Sequence, residues 1–524
     1  MSDYNNQITC PKCGHNENSS TSKKCEICGF TLQKSGLPVP ALLVGGLLVL
    51  GIGAGGFYTF KDQILGSQQA DSSGTPTSSS TPNAGTSGTS DTSNIDTTNL
   101  LSRGERLLVT ENKHPDKLAG IQAYAAGDYK TAITKFQSAL ASQSNDPETL
   151  IYLNNARLAD KPHMTIATVV PITNSTSSAL ERLRGVAQAQ DEAVKSNVPF
   201  QVLIADDGND SNQAQAIAKA IVADENILAV IGHGTSSTTL AAAPIYVENQ
   251  IVMIAGTATS TDFVKIPKGS DGTQYAFRTI ASDQFTGTVL ARHFLSVLKK
   301  KSATVFYNSQ SSYSNSLKTA FSTTLGLEGG QVVQEVDLSQ TGAASTPINA
   351  SSEAIILLPD SKTLSTAIEV AKANANKRPL LAGDATYVIE TLQQGGASVN
   401  GMILAVPWHP EASPNAEFTK VSRNIWQGEV NWRTALNYDA FQTIRHARSI
   451  SNIIPNSGVA GRVALAKTIG NPGFQASGAT GAITFLPSGD RNAELILLKV
   501  SPGQKSKTGY DFVPLSASKQ SPQQ

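Results

Sequence analysis

Continuous apolar runs alternate with longer amphipathic segments through most of the chain beyond residue 163. Runs without internal polar residues are typical of parallel strands that helices cover on both faces. Strands are predicted at residues 165–171, 201–205, 228–231, 251–255, 303–307, 331–336, 354–358, 379–383 and 402–406, and helices between them at 178–194, 213–222, 284–299 and 361–373. Two sets of this βαβ repetition predict an α/β fold with two doubly wound lobes.

Two of the predicted strands end in clusters of glycine, serine and threonine. Residues 236–239 are Ser-Ser-Thr-Thr and open a helix, and Thr257 and Thr259 follow the next strand. Ligands of parallel sheets bind at the carboxyl ends of the strands, and the free N–H groups of a helix start favour an anion. The pattern predicts a pocket for a small carboxylate. Ordinary helix N-capping is the alternative role for Ser236 and Thr259.

The residues around these strand ends resemble the type I periplasmic solute-binding proteins, most closely the leucine/isoleucine/valine-binding receptors of ABC importers. The resemblance covers about residues 163–514 and is carried by short motifs: ADD at 205–207, IGH at 231–233, MIA at 253–255, TAT at 257–259, FRT at 277–279, YDA at 438–440, GATG at 478–481 and GD at 489–490. It implies two Rossmann-like lobes with the ligand in the cleft between them, and hinge crossings near residues 281, 407 and 471.

The resemblance also implies roles for single residues of the first lobe. Ser236 would bind the carboxylate of an amino acid, with Ser237 and the backbone amides beside it. Thr257 would offer its backbone carbonyl, and Thr259 would offer its hydroxyl and amide.

Two further residues are implied for the second lobe. Tyr313 would close over the ligand, and its alternative role is a partly buried aromatic at a helix start. Asp384 lies where the family places a glutamate that holds the ammonium, and its alternative role is the N-cap of a helix at 385–392. The loops 173–176 and 358–360 lack aromatic residues that the family often uses. A small or polar ligand therefore fits as well as a branched-chain one.

All four cysteines of the chain lie in its first 28 residues. Cys10, Cys13, Cys25 and Cys28 form two CxxC pairs separated by eleven residues, a spacing that presents four thiolates to zinc. A redox dithiol would normally show one CxxC beside a βαβ unit, and none is present here. The sequence therefore predicts a structural zinc ribbon at residues 1–35. Four cysteine ligands would fill the coordination sphere of the zinc and leave no open position for catalysis.

Residues 37–60 carry no charge over 24 positions, which is long enough to span a bilayer. Lys23, Lys24 and Lys34 precede this span and Lys61 follows it, so the N-terminus is predicted to be cytoplasmic. This places the ligand domain on the periplasmic or extracellular side of the plasma (inner) membrane, behind a single transmembrane helix. A cleaved signal peptide is the alternative, but its n-region would be about 36 residues long.

Between this span and the α/β region lie two further segments. Residues 61–98 are rich in Ser, Thr and Gly and predict a disordered linker. Residues 99–160 predict helices and resemble one and a half tetratricopeptide (TPR) repeats, as a small cap or spacer or as a partner-docking module. The ligand domain is predicted at 163–514 and a flexible tail at 515–524.

Charge and motifs narrow the possible functions. Basic and acidic residues both number 41, and no basic stripe interleaved with aromatics is present, which argues against nucleic-acid binding. No nucleophile, zinc-protease or P-loop motif occurs, so an enzyme is not expected. The sequence predicts a membrane-tethered receptor for an amino acid or similar carboxylate that feeds an ABC permease. The alternatives are a sensor coupled to the cytoplasmic ribbon and an interaction protein with a degenerate pocket.

Overall fold

The computed structural model describes residues 7–8, 18–19 and 95–515. The chain divides into two units, Met1–Thr86 and Ser87–Gln524. In the first unit, strands β1 (Gln7–Ile8) and β2 (Asn18–Ser19) pair antiparallel. Among the described residues no helix is both long and apolar enough to cross a bilayer. Several predictions fall outside the described residues: the zinc ligands Cys10, Cys13, Cys25 and Cys28, the apolar span 37–60, linker residues 61–94 and tail residues 516–524.

The first lobe is a six-stranded sheet with helices on both faces. Its strand order is β3-β5-β4-β6-β7-β8, with β3 antiparallel and the other strands parallel. The elements in chain order are β3 (Leu101–Ser102), α1 (Pro115–Ala125), α2 (Tyr129–Ser142), α3 (Pro147–Leu158), β4 (Met164–Val170), α4 (Thr176–Lys195), β5 (Phe200–Asp206), α5 (Ser211–Val222), β6 (Ile227–Ile231), α6 (Ser236–Glu248), β7 (Val252–Ala255) and β8 (Ala276–Arg278).

The second lobe repeats this construction around a seven-stranded sheet of order β10-β9-β11-β12-β13-β16-β17. Its first five strands are parallel, and the last two pair antiparallel. The elements are α7 (Asp283–Ser296), β9 (Ser302–Tyr307), α8 (Ser312–Leu327), β10 (Gln331–Asp337), β11 (Ala354–Leu358), α9 (Leu364–Asn374), β12 (Leu380–Ala382), α10 (Ile389–Gly395), β13 (Ile403–Val406), and later β16 (Ile496–Pro502) and β17 (Tyr510–Pro514).

Between β13 and β16 the chain returns to the first lobe through α11 (Ala416–Trp426), α12 (Trp432–Ser451), α13 (Gly458–Ile469), β14 (Ala476–Gly478) and β15 (Gly481–Ile483). Helix α12 packs along α4, where the Thr434 hydroxyl donates to the Glu181 carbonyl at 2.8 Å. This packing joins two helices that are distant in sequence, and both of them border the cleft described below.

All nine predicted strands and the four predicted helices are present, each within a few residues of its predicted bounds. The reason is visible in β4 and β5, whose fourteen positions are all buried, as continuous apolar runs require of a sheet covered on both faces. Two lobes of α/β structure confirm the predicted fold class.

The hinge crossings near residues 281 and 407 lie where predicted, between β8 and α7 and after β13. The third prediction, near residue 471, is wrong. There the chain continues in the first lobe as the hairpin β14–β15, and Arg491 still donates to Asp439 of α12 at 3.0 Å. The crossing comes between Arg491 and the start of β16. Asp439 also accepts from the Ala479 amide at 2.6 Å, so it braces this hinge.

Helices α1–α3 pack on the first lobe as part of its structure. The Asn155 side chain donates to the Val202 carbonyl at 2.7 Å and accepts from the Val202 amide at 3.0 Å, which ties α3 to strand β5. Inside the three helices, the buried Lys117 ammonium lies 2.9 Å from Asp146 and 2.7 Å from Glu148. The likeness to TPR repeats and the domain boundaries stay predictions.

Candidate functional site

A cavity of about 280 Å³ lies between the lobes, beyond the carboxyl ends of the parallel strands. Most of its lining is polar: Ser175, Ser178, Arg182, Asn209, Asp210, Ser211, Thr235, Ser236, Ser237, Thr257, Asn308, Gln310, Ser311, Tyr313, Asp360, Ser361, Lys362, Asp384 and Arg433, with Pro171, Gly234, Ala385 and Trp432. This volume is close to the lower end of typical small-molecule sites. Five of the six predicted ligand-binding residues line it, and Thr259 does not.

The amino end of α6 faces the cavity, and Thr235 rather than Ser236 caps it. The Thr235 hydroxyl accepts from the Thr238 amide at 3.4 Å, and the Thr238 hydroxyl accepts from the Thr235 amide at 3.2 Å. The capping alternative for Ser236 is therefore wrong. Ser236 Oγ accepts from the Ser260 amide at 3.2 Å, which leaves its hydroxyl proton for a partner in the cavity.

Thr257 and Thr259 hold different positions after β7. The Thr257 hydroxyl lines the cavity and donates to the Gly234 carbonyl at 3.0 Å. Thr259 lies deeper, where its carbonyl accepts from the Asp283 amide at 2.8 Å and its buried hydroxyl has no partner among residues 95–515. The cap of the next helical turn is Ser260, not Thr259, so capping is also excluded as the role of Thr259.

Tyr313 and Asp384 form the facing wall in the second lobe. Tyr313 stands in the first turn of α8, and its hydroxyl donates to Asp384 at 2.8 Å. Asp384 begins a short 3₁₀ helix (Asp384–Thr386) without a side-chain capping bond, so the N-cap alternative is wrong. Burial raises the pKa of the Asp384 carboxyl, although the Tyr313 hydroxyl opposes that effect. A cationic ligand group beside Asp384 would stabilise its charged form.

The two lobes touch directly at one rim of the cavity. The Ser237 hydroxyl donates to Ser312 Oγ at 3.1 Å, and the Thr261 amide donates to Ser316 Oγ at 2.8 Å. The first bond joins the start of α6 to the start of α8, and the second joins the 3₁₀ helix Thr261–Lys265 to α8. The structure thus has the lobes in contact across the cleft.

Sequence reasoning missed Arg182 and Arg433, which also line the cavity. Both side chains are buried, at 5% and 7% exposure. Arg182 stands on the same side of α4 as the buried Ala179, Leu183 and Val186. A cation on an otherwise apolar helix face was the available signal.

Asp283, at the start of α7, was also missed. It is fully buried, and its carboxylate oxygens make no hydrogen bond of normal geometry in the described part of the chain, although the Ser316 and Thr259 hydroxyls lie near enough to favour its charged form. Burial, and then the charge of Asp384, raises the pKa of Asp283 to about 7. The carboxyl is thus poised to exchange a proton near neutral pH, just behind the second-lobe wall.

Asp206 and Asp207 have structural roles. Asp206 accepts from the amides of Thr173 and Gly208, which holds the loop after β4 against the loop after β5. The Asp207 carboxylate accepts a hydrogen bond from His233 Nδ1 at 3.0 Å. On the other side of the ring, His233 Nε2 lies 3.0 Å from the Tyr246 hydroxyl. These buried hydrogen bonds support the loop that leads into α6.

Within the described residues, no group of His, Cys, Asp and Glu side chains is arranged to hold a metal ion. The predicted zinc ligands lie outside those residues. The zinc assignment therefore stays a prediction.

Comparisons with known proteins agree with this architecture. The leucine-specific-binding protein of Salmonella typhimurium is 35% identical over 105 residues, which cover 20% of this chain and 27% of that protein. An amino acid binding protein of Pseudomonas aeruginosa is 29% identical over 161 residues, covering 30% of this chain and 41% of that protein. The chain thus matches between about a quarter and two fifths of the length of these relatives.

Solved structures match over a longer stretch. A leucine binding protein from Thermotoga maritima has 23% identity and a TM-score of 0.59, covering 67% of this chain and 97% of that one. A substrate-binding protein of an ABC transporter from Desulfitobacterium hafniense, solved with Leu, has 21% identity and a TM-score of 0.54, covering 67% and 100%. At these identities the likeness shows the fold.

The profile of the family described as periplasmic binding protein matches residues 163–485. The relatives are binding proteins rather than enzymes, which confirms the prediction that this chain is not an enzyme. Because the match covers more than half of the sequence, the chain belongs to the periplasmic binding protein family.

Proposed function

We propose that this chain is a membrane-tethered receptor that closes on an amino acid or similar small carboxylate and delivers it to an ABC importer. One observation carries the proposal: the start of α6, with the free hydroxyl proton of Ser236, faces the Asp384–Tyr313 pair across a cavity of about 280 Å³. The first wall suits an anion and the second suits a cation. An amino acid carries both groups on one small body.

Closure follows from the position of these groups in different lobes. A ligand that contacts both walls binds the closed form more tightly than the open form, so it shifts the population towards closure. The contacts between Ser237 and Ser312 and between Thr261 and Ser316 add to the closed form. The names of the relatives, which include leucine-specific and amino acid binding proteins, support an amino-acid ligand.

A ligand screen on the full-length chain tests the proposal. A ligand that binds only the native state raises the free energy of unfolding by roughly 2.7 kcal/mol at a hundredfold excess over its Kd. The twenty amino acids and a set of small carboxylates are added one at a time, and the midpoint of thermal unfolding is measured. At least one should shift the midpoint. A screen without any shift favours the interaction protein with a degenerate pocket.

Ser236→Ala is the variant that checks the site in the same assay. It removes one hydrogen bond to a charged group, which is worth roughly 1.5–3 kcal/mol, so the shift should shrink. Ser296→Ala, an exposed serine at the end of α7, is the matched control and should leave the shift unchanged. Equal shifts in both variants would remove Ser236 from the site.

For the N-terminal region we propose a cytoplasmic zinc ribbon at residues 1–35 and a single membrane span at 37–60, with the ligand domain periplasmic or extracellular. The two CxxC pairs and the lysines before the span support this arrangement. Purified full-length chain should contain one zinc, and Cys25→Ser should lose it. Protease added to intact spheroplasts should release the ligand domain, whereas a mature form beginning after residue 60 would indicate a cleaved signal peptide.

In the sensor alternative, the helical segment at residues 99–160 would relay ligand-induced closure from the ligand domain to the membrane span. Helix α3 is fixed to β5 through Asn155, so this segment would move with the first lobe. The Ser/Thr/Gly-rich composition of residues 61–98 predicts a flexible connection beyond it, which transmits rotation poorly. An importer remains the function that the site supports best.

A further inference from the structure

Two buried arginines are part of the cavity wall. Arg182 of α4 and Arg433 of α12 both line the cavity, and their exposures are 5% and 7%. The two guanidinium groups lie near enough that the charge of Arg433 acts on Arg182. Neither residue belongs to the set that the family resemblance implied for amino-acid binding.

The partners of Arg182 are all neutral. Its Nε donates to Thr257 Oγ1 at 3.1 Å, its Nη1 donates to the Ser178 carbonyl at 2.8 Å and to the Ser178 hydroxyl, and its Nη2 donates to the Gly234 carbonyl at 2.6 Å. One N–H of Nη2 is left for a ligand. No carboxylate in the described part of the chain lies within ion-pair distance of it. Burial, then the charge of Arg433, lowers the pKa of Arg182 to about 9, which still leaves the group charged at neutral pH. A buried charge without a counter-ion is costly.

Arg433 is only partly neutralised. Its Nη1 lies 3.3 Å from Glu181, and its guanidinium carbon lies 4.4 Å from the centre of the Trp432 ring. Its buried Nε has no hydrogen-bond partner in the described part of the chain. Glu181 acts on both guanidinium groups, and beyond ion-pair distance Asp207 acts on Arg182 and Asp384 acts on Arg433.

The other acids of the cavity wall are already engaged. Asp210 accepts from the backbone amides of Asn212 and Gln213, and Asp360 accepts from those of Lys362 and Thr363. Lys362 adds a third cation to the lining.

The lining also contains no aliphatic side chain larger than that of proline. A leucine-like side chain would find apolar contacts only at Pro171, Ala385 and the rings of Tyr313 and Trp432, and it would leave Arg182 without an ion-pair partner. Desolvating the polar groups of the lining against hydrocarbon is unfavourable.

We propose that the cavity selects an amino acid with a second carboxylate, of the aspartate or glutamate class, and that Arg182 and Arg433 bind that second carboxylate. This inference rests on the proposed function, because the first carboxylate and the ammonium are assigned to Ser236 and Asp384. Guanidinium groups bind carboxylates through strong, charge-assisted hydrogen bonds. The arginines thus determine specificity rather than general affinity for amino acids.

Titration calorimetry on the full-length wild-type chain tests the inference with L-glutamate, L-aspartate, L-glutamine and L-leucine. A charge-assisted hydrogen bond is worth roughly 10- to 100-fold in affinity, so L-glutamate or L-aspartate should bind at least about tenfold more tightly than the other two. If L-leucine or L-glutamine binds as tightly as both acidic amino acids, this inference is wrong while the proposed function stands. If neither an amino acid nor a small carboxylate of the wider screen binds, the proposed function itself fails.

Two variants of helix α4 locate the effect. Arg182→Gln should reduce the preference for the acidic amino acid over L-glutamine to about twofold or less, and Arg182→Lys should retain part of it. Arg184→Gln is the matched control, because Arg184 is not part of the cavity wall and its Nε donates to Asn145 instead. An unchanged preference in a folded Arg182→Gln chain overturns the assignment. If that variant does not fold, the assignment is tested by the affinities of Arg182→Lys and of the wild-type chain for the same four amino acids.

Discussion

The first-lobe wall of the cleft fixes its polar side chains to the backbone through several hydrogen bonds. On the second-lobe wall the Asp384 side chain is held by the Tyr313 hydroxyl, which has one backbone bond, from the Ala385 amide at 3.3 Å. In the first lobe, Arg182 and Thr257 both donate to the Gly234 carbonyl, and Ser236 accepts from a backbone amide. In the second lobe, Asp384 is a buried carboxyl of raised pKa.

This difference assigns the two walls different tasks. Groups held by backbone bonds lose little freedom when a ligand arrives, so the first lobe is organised for a carboxylate before binding. Among the described residues no cation lies within ion-pair distance of the buried Asp384, and only the more distant charge of Arg433 favours its ionised form, so the second lobe gains most when an ammonium reaches it. We infer that the ligand docks on the first lobe and that the second lobe closes over it.

A large effect at any single pH is expected from the helix packing behind the first wall. A Cβ at Gly185 of α4 would overlap the Thr434 carbonyl and lie 2.7 Å from the Tyr438 amide nitrogen of α12. Gly185→Ala should therefore reduce the free energy of unfolding by roughly 3 kcal/mol, because backbone cannot move away easily. Denaturant unfolding of the full-length chain measures it.

Gly326→Ala, in α8 of the second lobe, is the matched control. A Cβ there meets open space. The variant should gain roughly 0.5–1 kcal/mol from helix propensity. Equal effects of the two substitutions would show that α4 and α12 do not pack as described.

The second prediction concerns pH and the carboxyl behind the second wall. Asp283 has a folded-state pKa of about 7 against 3.8 for the free group. Its contribution to stability is therefore complete below about pH 4 and is lost as the pH rises towards 7, because the unfolded chain releases the proton first. Asp283→Asn has no such loss.

The free energy of unfolding of Asp283→Asn relative to wild type should thus rise with pH between 4 and 7. The largest slope is about 1.4 kcal/mol per pH unit. Denaturant unfolding at a series of pH values measures it, with Asp262→Asn at an exposed position as the control. Parallel curves for the Asp283 variant and wild type would mean that this carboxyl is ionised in the folded protein.

A smaller effect is expected from the turn that supports Asp384. A Cβ at Gly383 would overlap the Tyr313 hydroxyl and lie 2.6 Å from Leu317 Cδ2. Gly383→Ala should displace Tyr313 from Asp384 and weaken ligand binding by about tenfold, since one hydrogen bond to a charged group is lost. Calorimetry on the folded variant measures the ligand affinity. Gly401→Ala is the control, because a Cβ at Gly401 has no atom within 4 Å and the substitution strains only the local backbone. Unchanged affinity would separate Tyr313 from ligand binding.

Much of this architecture could be predicted from the sequence because buried parallel strands leave a direct signal. The third hinge was misplaced because β14 and β15 are only three residues each and contain glycine, so they resemble a loop. Ser236 and Asp384 could be located by family resemblance. Arg182 was missed although it shares a helix face with apolar residues, because arginine on an amphipathic helix usually lies at the surface, and the fold was needed to show that this one is buried.

The claim that one ligand bridges two different walls is tested most directly by comparing L-glutamate with 2-oxoglutarate, which lacks the ammonium. Calorimetry would measure both on wild type, Ser236→Ala and Asp384→Asn. Ser236→Ala should weaken both ligands by a similar factor, whereas Asp384→Asn should weaken L-glutamate by roughly tenfold or more and leave 2-oxoglutarate nearly unchanged. If Asp384→Asn weakens both ligands equally, or neither, the second lobe does not read the ammonium and the account is contradicted.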